Sequence, residues 1–251
     1  MGLLLLRLSG PLQSWGDSSR FTVRSTAREP TKSGVVGLLA AAMGRPRDAS
    51  MADLVALEMG VRIDQPGRLV RDFQTERSLD GRTVMPLSQR YYLSDAKFLV
   101  ALGGPDELLA CVRDAMLRPH WPLYLGRRSC PADLPIALDD IEVACSDVRD
   151  ALARTSWVAA EWFKERCARS EDGFPDLEVA CDARAGEPVE ERMDVPLSFG
   201  RVRRYAPRPV FRGWVANPDF PDDEEARAGE GGSHPDATAE KLGAHDPMSF
   251  L

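Results

Sequence analysis

The first hydrophobic run, residues 2–8, is too short for a helix and reads as a buried strand. A polar stretch over 9–30, punctuated by Gly10-Pro11 and Trp15-Gly16, reads as a loop. Thr31 or Ser33 then caps a helix running to about Met43, stopped by Gly44 and Pro46. Gly34, Gly37 and Ala41 are spaced by three and four residues, which lets this helix lie close to a sheet. A short helix over 50–58 and strands over 60–64 and 69–75 follow. Residues 76–90 are polar, and Asp80-Gly81 near their middle predicts a hairpin turn. Residues 91–102 read as one strand with a buried second half, ended by Gly103-Gly104. Pro105 opens a helix with Leu109, Val112 and Met116 on one face, ending before Pro119, and residues 123–125 read as a short strand.

The order β-α-(α)-β-β-β-α-β predicts an α+β fold, ferredoxin-like with an inserted β-hairpin, over residues 1–130. Beyond it the pattern is less regular. A helix over 147–154 and strands near 177–182 and 203–215 predict a smaller, mainly β C-terminal subdomain over 131–216. Arg113 and Arg149 fall on helix faces expected to be turned to solvent.

Composition, at 251 residues with 43% hydrophobic and 28% charged, is that of an ordinary globular protein and excludes collagen-like and mostly disordered classes. Five widely spaced cysteines without a C-x-x-C pair argue against a zinc ribbon or disulfide framework and for a reducing cytosol. No apolar run near the start approaches the length of a membrane span or signal core. Charge alters the picture more. Residues 217–251 hold nine acids and two bases, and so carry the whole formal charge of −7. Rich in Pro, Gly, Asp and Glu, this segment reads as a disordered tail. Residues 1–47, by contrast, hold seven bases against Asp17 and Glu29, and residues 200–212 hold five arginines and no acid.

Familiar catalytic motifs are absent: the chain has no H-E-x-x-H, G-x-S-x-G or G-x-G-x-x-G. Thr31-Lys32-Ser33 echoes the end of a P-loop, but Thr26 and Thr31 stand where that motif needs glycine. Of three histidines, His234 and His245 lie in the tail, and His120 reads as a loop residue. Acid–base catalysis therefore has little support, and no metal or cofactor is expected. Lys32, Tyr91 and Tyr92 leave metal-independent RNA cleavage open.

Arg20, Arg24, Arg28 and Lys32 recur every four residues ahead of the first helix. Lys32 and Ser33 sit where free backbone N–H groups and the positive end of the helix dipole make a phosphate site. Arg127 and Arg128 follow a strand, and the arginines at 201, 203, 204, 208 and 212 interleave with Tyr205 and Phe211. Arginine beside aromatics suits single-stranded RNA. Arg90, Arg201, Arg203 and Arg204 complete the candidate RNA-binding set, with Trp15 added as an aromatic neighbour. Taken singly, each arginine is better explained as a solvated surface charge, and Trp15 and Trp214 as packing residues rather than base platforms; it is the clustering at 20–32 and 201–204 that favours a binding role.

Four segments resemble, in order, the CasD family, the crRNA 5′-end subunit of type I-E CRISPR Cascade. They are LRLSGPLQSWG at 6–16, PTKSGVVGLLA at 30–40, YLSDA at 92–96 and LGRRSCP at 125–131. The resemblance implies an RRM-like palm with a protruding hairpin thumb, which maps to about 76–90. It further implies a non-catalytic, cytoplasmic RNA-binding subunit that holds the 5′ handle of crRNA in antiviral defence. Such a subunit contacts the backbone and large subunits, meets target DNA only through the assembled complex, and touches no membrane. Relatives in type I-C systems cut RNA with a Tyr/Lys/His set, and this chain has no Lys-His pair after the thumb. The alternatives are a metal-independent endoribonuclease processing CRISPR repeat RNA, and a scaffold with mainly protein contacts.

Overall fold

The computed structural model describes residues 2–16, 22–138, 145–170 and 173–220. The opening apolar run forms β1 (Gly2–Ser9), followed by the short strands β2 (Leu12–Gln13) and β3 (Val23–Arg24). Helices α1 (Lys32–Ala42) and α2 (Ala52–Val55) lead to β4 (Glu58–Gln65), β5 (Arg68–Gln74), β6 (Ser88–Ser94) and β7 (Lys97–Gly104). Next come α3 (Asp106–Leu117), α4 (Val148–Arg154), α5 (Glu161–Ala168), β8 (Leu177–Asp182), β9 (Glu190–Ser198) and β10 (Arg204–Val215).

Six strands make one antiparallel sheet in the order β1-β7-β4-β8-β10-β9. Alternate side chains leave a strand in opposite directions, so β1 feeds two cores. Leu4, Leu6 and Leu8 pack with Val35 and Leu39 of α1 and Val112 of α3. Leu5 joins Leu99, Ala101 and Val179 against Val148, Ala151 and Leu152 of α4 on the other face. Each such leucine, fully buried, contributes roughly 1.5–3 kcal/mol. Inside β4, the buried pair Arg62–Asp64 (2.7 Å) also fastens the chain after α4, where Arg62 donates to the carbonyls of Thr155 (2.6 Å) and Ser156 (2.9 Å).

A second, smaller sheet is built on β6. β5 pairs with β6 along its whole length, while β2 pairs at Leu93 and Ser94 and β3 runs parallel to it at Gln89 and Arg90. β5 and β6 are the arms of a projecting hairpin whose tip closes through the Arg77–Val84 bridge around Gly81, with φ at 71°. All residues of β5 and of the tip, 75–87, are exposed. The hairpin signal at Asp80-Gly81 marks the tip, and the arms extend to 68 and 94, beyond the expected 76–90.

Several expectations change. The strand expected over 91–102 is two strands in two sheets, because Asp95 adopts a φ of 56° and turns the chain between β6 and β7. Residues 123–125 form no strand; instead 136–138 flank β1, with Arg7 N–H on the Ile136 carbonyl (2.7 Å) and Leu138 N–H on that of Leu5 (3.0 Å). The expected boundary near 130 does not divide the sheet, since β8, β10 and β9 continue it from β4. Nor does the body stop at 216: Trp157 N–H donates to Asp219 Oδ1 (3.1 Å) and Phe220 stacks on Phe174. The remainder of the expected disordered tail, 221–251, lies outside the described residues. Arg149 does not simply face solvent, as it forms a paired bond to Glu187 (2.5 and 2.7 Å) and lies over the Phe211 ring.

Candidate nucleic-acid interface

Three of the arginines singled out above come together from distant parts of the chain. The parallel pairing of β3 with β6 makes Arg24 the register partner of Arg90. Arg127 donates through Nη2 to the Arg24 carbonyl at 2.8 Å, and its guanidinium lies 4.6 Å from the centre of the Tyr92 ring. Arg90 also pairs with Glu76 at the root of the hairpin tip, at 3.0 Å. The turn before Arg127 needs glycine: Gly126 has a φ of 88°, and a side chain there would overlap the Ser14 carbonyl. Ser14 N–H bonds the Leu125 carbonyl at 3.1 Å, which holds this loop against the β2 region. Arg24, Arg28 and Arg128 are exposed, and among the described residues their side chains have no hydrogen-bond or ion-pair partner. These are cations open to a phosphate.

Trp15 is not open to a base. It is 1% exposed, its Nε1 donates to Gln13 Oε1 at 3.1 Å, and its ring lies so close to α1 that a Cβ on Gly34 would stand 2.7 Å from it. The indole packs the loop against the helix. Lys32 and Ser33 are buried as well, and the phosphate site expected at the start of α1 is filled by the protein's own carboxylates. Asp194 Oδ2 accepts the Lys32 backbone N–H at 2.9 Å, and Asp182 Oδ2 accepts from Lys32 Nζ at 3.0 Å. Thr31 Oγ1 caps the Gly34 N–H at 3.2 Å.

Arg208 completes this lock, donating to Asp194 (2.8 and 2.7 Å) and Asp182 (2.6 Å). Burial opposes its charge, but the two carboxylates outweigh burial and hold its pKa above the ordinary arginine value. Beside it, Glu29 is gripped by Arg192 and by Arg212, which also binds Glu178 (2.5 Å) and Glu190 (2.9 Å). The acids Glu29, Asp182 and Asp194 carried no sequence signal beyond their type, yet they decide which bases remain free.

Arg201, Arg203 and Arg204 lie exposed at the connection from β9 to β10, where Phe199 stands 3.7 Å from the Cβ position of Gly37 in α1. No contact among the described residues joins them to the Arg24–Arg90–Arg127 group. Arg20 lies outside the described residues. Of the residues that left RNA cleavage open, Lys32 pairs with Asp182, Tyr92 is buried under Arg127, and Tyr91 Oη lies 3.5 Å from Gln89 Oε1. Among the described residues no cluster of three or more His, Cys, Asp or Glu stands ready to hold a metal. No helix among them is long and apolar enough to cross a membrane.

Residues 3–211 match the family described as CRISPR-associated protein (Cas_Cas5). The chain belongs to the Cas5 family. The match runs from β1 well into β10, so the small sheet of this Cas5 chain and all but the ends of the large one fall inside it. Over 183 residues the chain is 33% identical to the CRISPR system Cascade subunit CasD of Escherichia coli (strain K12), covering 64% of this chain and 80% of that protein. A crystal structure of a Cas protein superposes with a TM-score of 0.67 at 38% identity, covering 88% of this chain and 98% of that one. A chain of a CRISPR RNA-guided surveillance complex superposes with a TM-score of 0.71 at 28% identity, covering 90% and 97%. The chain is a mixed α/β protein with antiparallel sheets and is structurally similar to these Cas proteins.

Proposed function

We propose that this Cas5 protein is a non-catalytic subunit of a cytoplasmic CRISPR Cascade complex that holds the 5′ handle of crRNA. In this reading, β1, α1, β4, β7 and α3, with 136–138 beside β1, form a ferredoxin-like palm, and the β5–β6 hairpin is the thumb. The thumb and β9–β10 face the backbone and large subunits, and target DNA is met only through the assembly. The observation that carries the proposal is the convergence of Arg24, Arg90 and Arg127 on the small sheet, with Arg28 and Arg128 left uncommitted beside them. Arg201, Arg203 and Arg204 form a second basic wall. The engagement of Lys32 by Asp182 and of Tyr92 by Arg127 favours holding over cutting. Co-expression with partner subunits and a CRISPR transcript tests this. Wild-type complex is expected to carry RNA of one uniform 5′ end, and the R24A/R28A/R128A triple variant to recover several-fold less. Full RNA occupancy in the triple variant, or specific cutting of repeat RNA by the purified chain, overturns the proposal.

A further inference from the structure

Trp214 is 65% exposed although it sits within β10. Its register partner is Glu178 of β8, and β9 pairs with β10 only as far as Val210, so among the described residues no strand covers the tryptophan's other side. Gly213 and Val215, on either side of it, pair with Val179 and Leu177, and Val215 packs against the α4 and Trp157 clusters. The backbone under the indole is therefore fixed. Among the described residues the ring makes no stacking, cation or hydrogen-bond contact. A scattered exposed leucine needs no explanation, but an indole presented rigidly to water is an unused flat surface.

Strand alternation puts Trp214 on the face of Arg212 and away from that of Phe211. Arg212 Nη2 reaches Glu29 at 2.6 Å, in the loop that leads into α1. Trp214 thus stands about 7 Å along the strand from the point where that loop docks. The next residue back, Arg28, is exposed and uncommitted among the described residues. Of the carboxylates around this part of β10, Glu178, Glu190 and Glu29 are engaged by Arg212 or Arg192, while Asp176, just before β8, is exposed.

We propose that Trp214 is a stacking platform for one unpaired nucleobase of the RNA whose phosphates Arg24 and Arg28 hold. This rests on the RNA-binding reading above and extends the interface from the small sheet onto the open face of β10. The ring supplies a face for any base, while Arg28 supplies charge.

The test uses the full chain, a short single-stranded oligoadenylate, and an abasic ribose-phosphate oligomer of the same length. W214A is expected to weaken oligoadenylate binding about tenfold, to leave abasic binding unchanged, and to be largely rescued by W214F. A fluorescence quench on oligoadenylate binding is expected in wild type and reduced in W214A. Equal losses on both oligomers, or unchanged oligoadenylate affinity, overturn the platform. So does a W214A chain that binds RNA normally but fails to join partner subunits, which makes the indole a protein contact. The RNA reading itself fails separately, if R24A/R28A binds oligoadenylate as tightly as wild type.

Discussion

Asp194 Oδ2 accepts the first backbone N–H of α1, that of Lys32, at 2.9 Å across 162 residues of sequence. A carboxylate from β9 thus takes the position that a helix N-terminus offers to an anion. The same oxygen accepts from Arg208 Nη2 at 2.7 Å, so one atom ties α1 to both strands of the β9–β10 hairpin. The lock divides the basic residues into two classes. Lys32, Arg192, Arg208 and Arg212 hold the fold, and Arg24, Arg28 and Arg128 have no such partner among the described residues.

Breaking the lock is expected to be costly. D194A leaves Arg208 buried with only Asp182 and uncaps Lys32, and removal of one partner from a buried pair destabilises by about 3–5 kcal/mol. Urea unfolding followed by circular dichroism reads this directly. A wild-type midpoint in D194A shows that Asp194 does not hold α1.

The two classes also separate by salt. If Arg24, Arg28 and Arg128 each contact a phosphate of single-stranded RNA, the triple alanine variant binds with a salt slope shallower by about two log units per decade, at roughly 0.7 per contact. K32A lowers stability and leaves that slope unchanged, since its ammonium is already bound to Asp182. A shallower slope in K32A returns Lys32 to the RNA interface.

How far the sequence foretold this depends on whether local chemistry or distant pairing decides an element. Thr31 capping α1, Gly44 ending it, and Leu109, Val112 and Met116 lining α3 are local matters, and all three stand in the structure. β8 and β10 were also legible, within a residue, from their apolar runs. β9 was not: Glu190, Glu191, Arg192 and Asp194 give it no strand pattern, because its inward side chains are ionic. The same cause misplaced Lys32, whose partners Asp182 and Asp194 lie at least 150 residues away. Arg24 and Arg127 were visible as charges, but their meeting through one carbonyl depends on the tertiary fold.

Acid should loosen the α4 side of the molecule. The paired hydrogen bonds from Arg149, reinforced by the Arg184 N–H, depress the Glu187 pKa from 4.5 to about 2. A depressed acid contributes stability in full above its unfolded pKa and loses it as pH falls through the folded value. The difference in Tm between wild type and E187Q is therefore expected at pH 7 and to shrink progressively between about pH 4.5 and 2. A constant difference over that window shows that Glu187 acts through shape rather than charge.

The thumb tip is expected to serve assembly rather than folding. Leu79, Val84, Met85 and Leu87 are all exposed there, and such an apolar patch on a projecting hairpin marks a protein contact. Replacing 76–85 by a two-residue Asn-Gly turn should leave Tm within a few degrees and reduce recovery of partner subunits. Undiminished recovery makes the tip an ordinary loop.

The end of the body is set by side chains, and two truncations locate it. Asn217 is 2% exposed, and its carbonyl accepts the Phe220 N–H at 3.0 Å. Asp219 accepts from Trp157 N–H at 3.1 Å and pairs with Lys164 at 3.3 Å, while Phe220 stacks on Phe174 and meets Trp157 edge-on. A chain stopped after 216 strands the Trp157 N–H and loses an aromatic pair, together about 2–4 kcal/mol. At about 2–4 °C per kcal/mol, its Tm should fall visibly. A chain stopped after 220 keeps these contacts and sheds eight acids against two bases. It is expected to melt as the full chain does and to bind single-stranded RNA equally or more tightly, most clearly at low salt. If both truncations melt alike, residues 217–220 carry no stability. If the chain stopped after 220 melts well below the full one, the acidic segment is part of the fold, and its charge has a structural use.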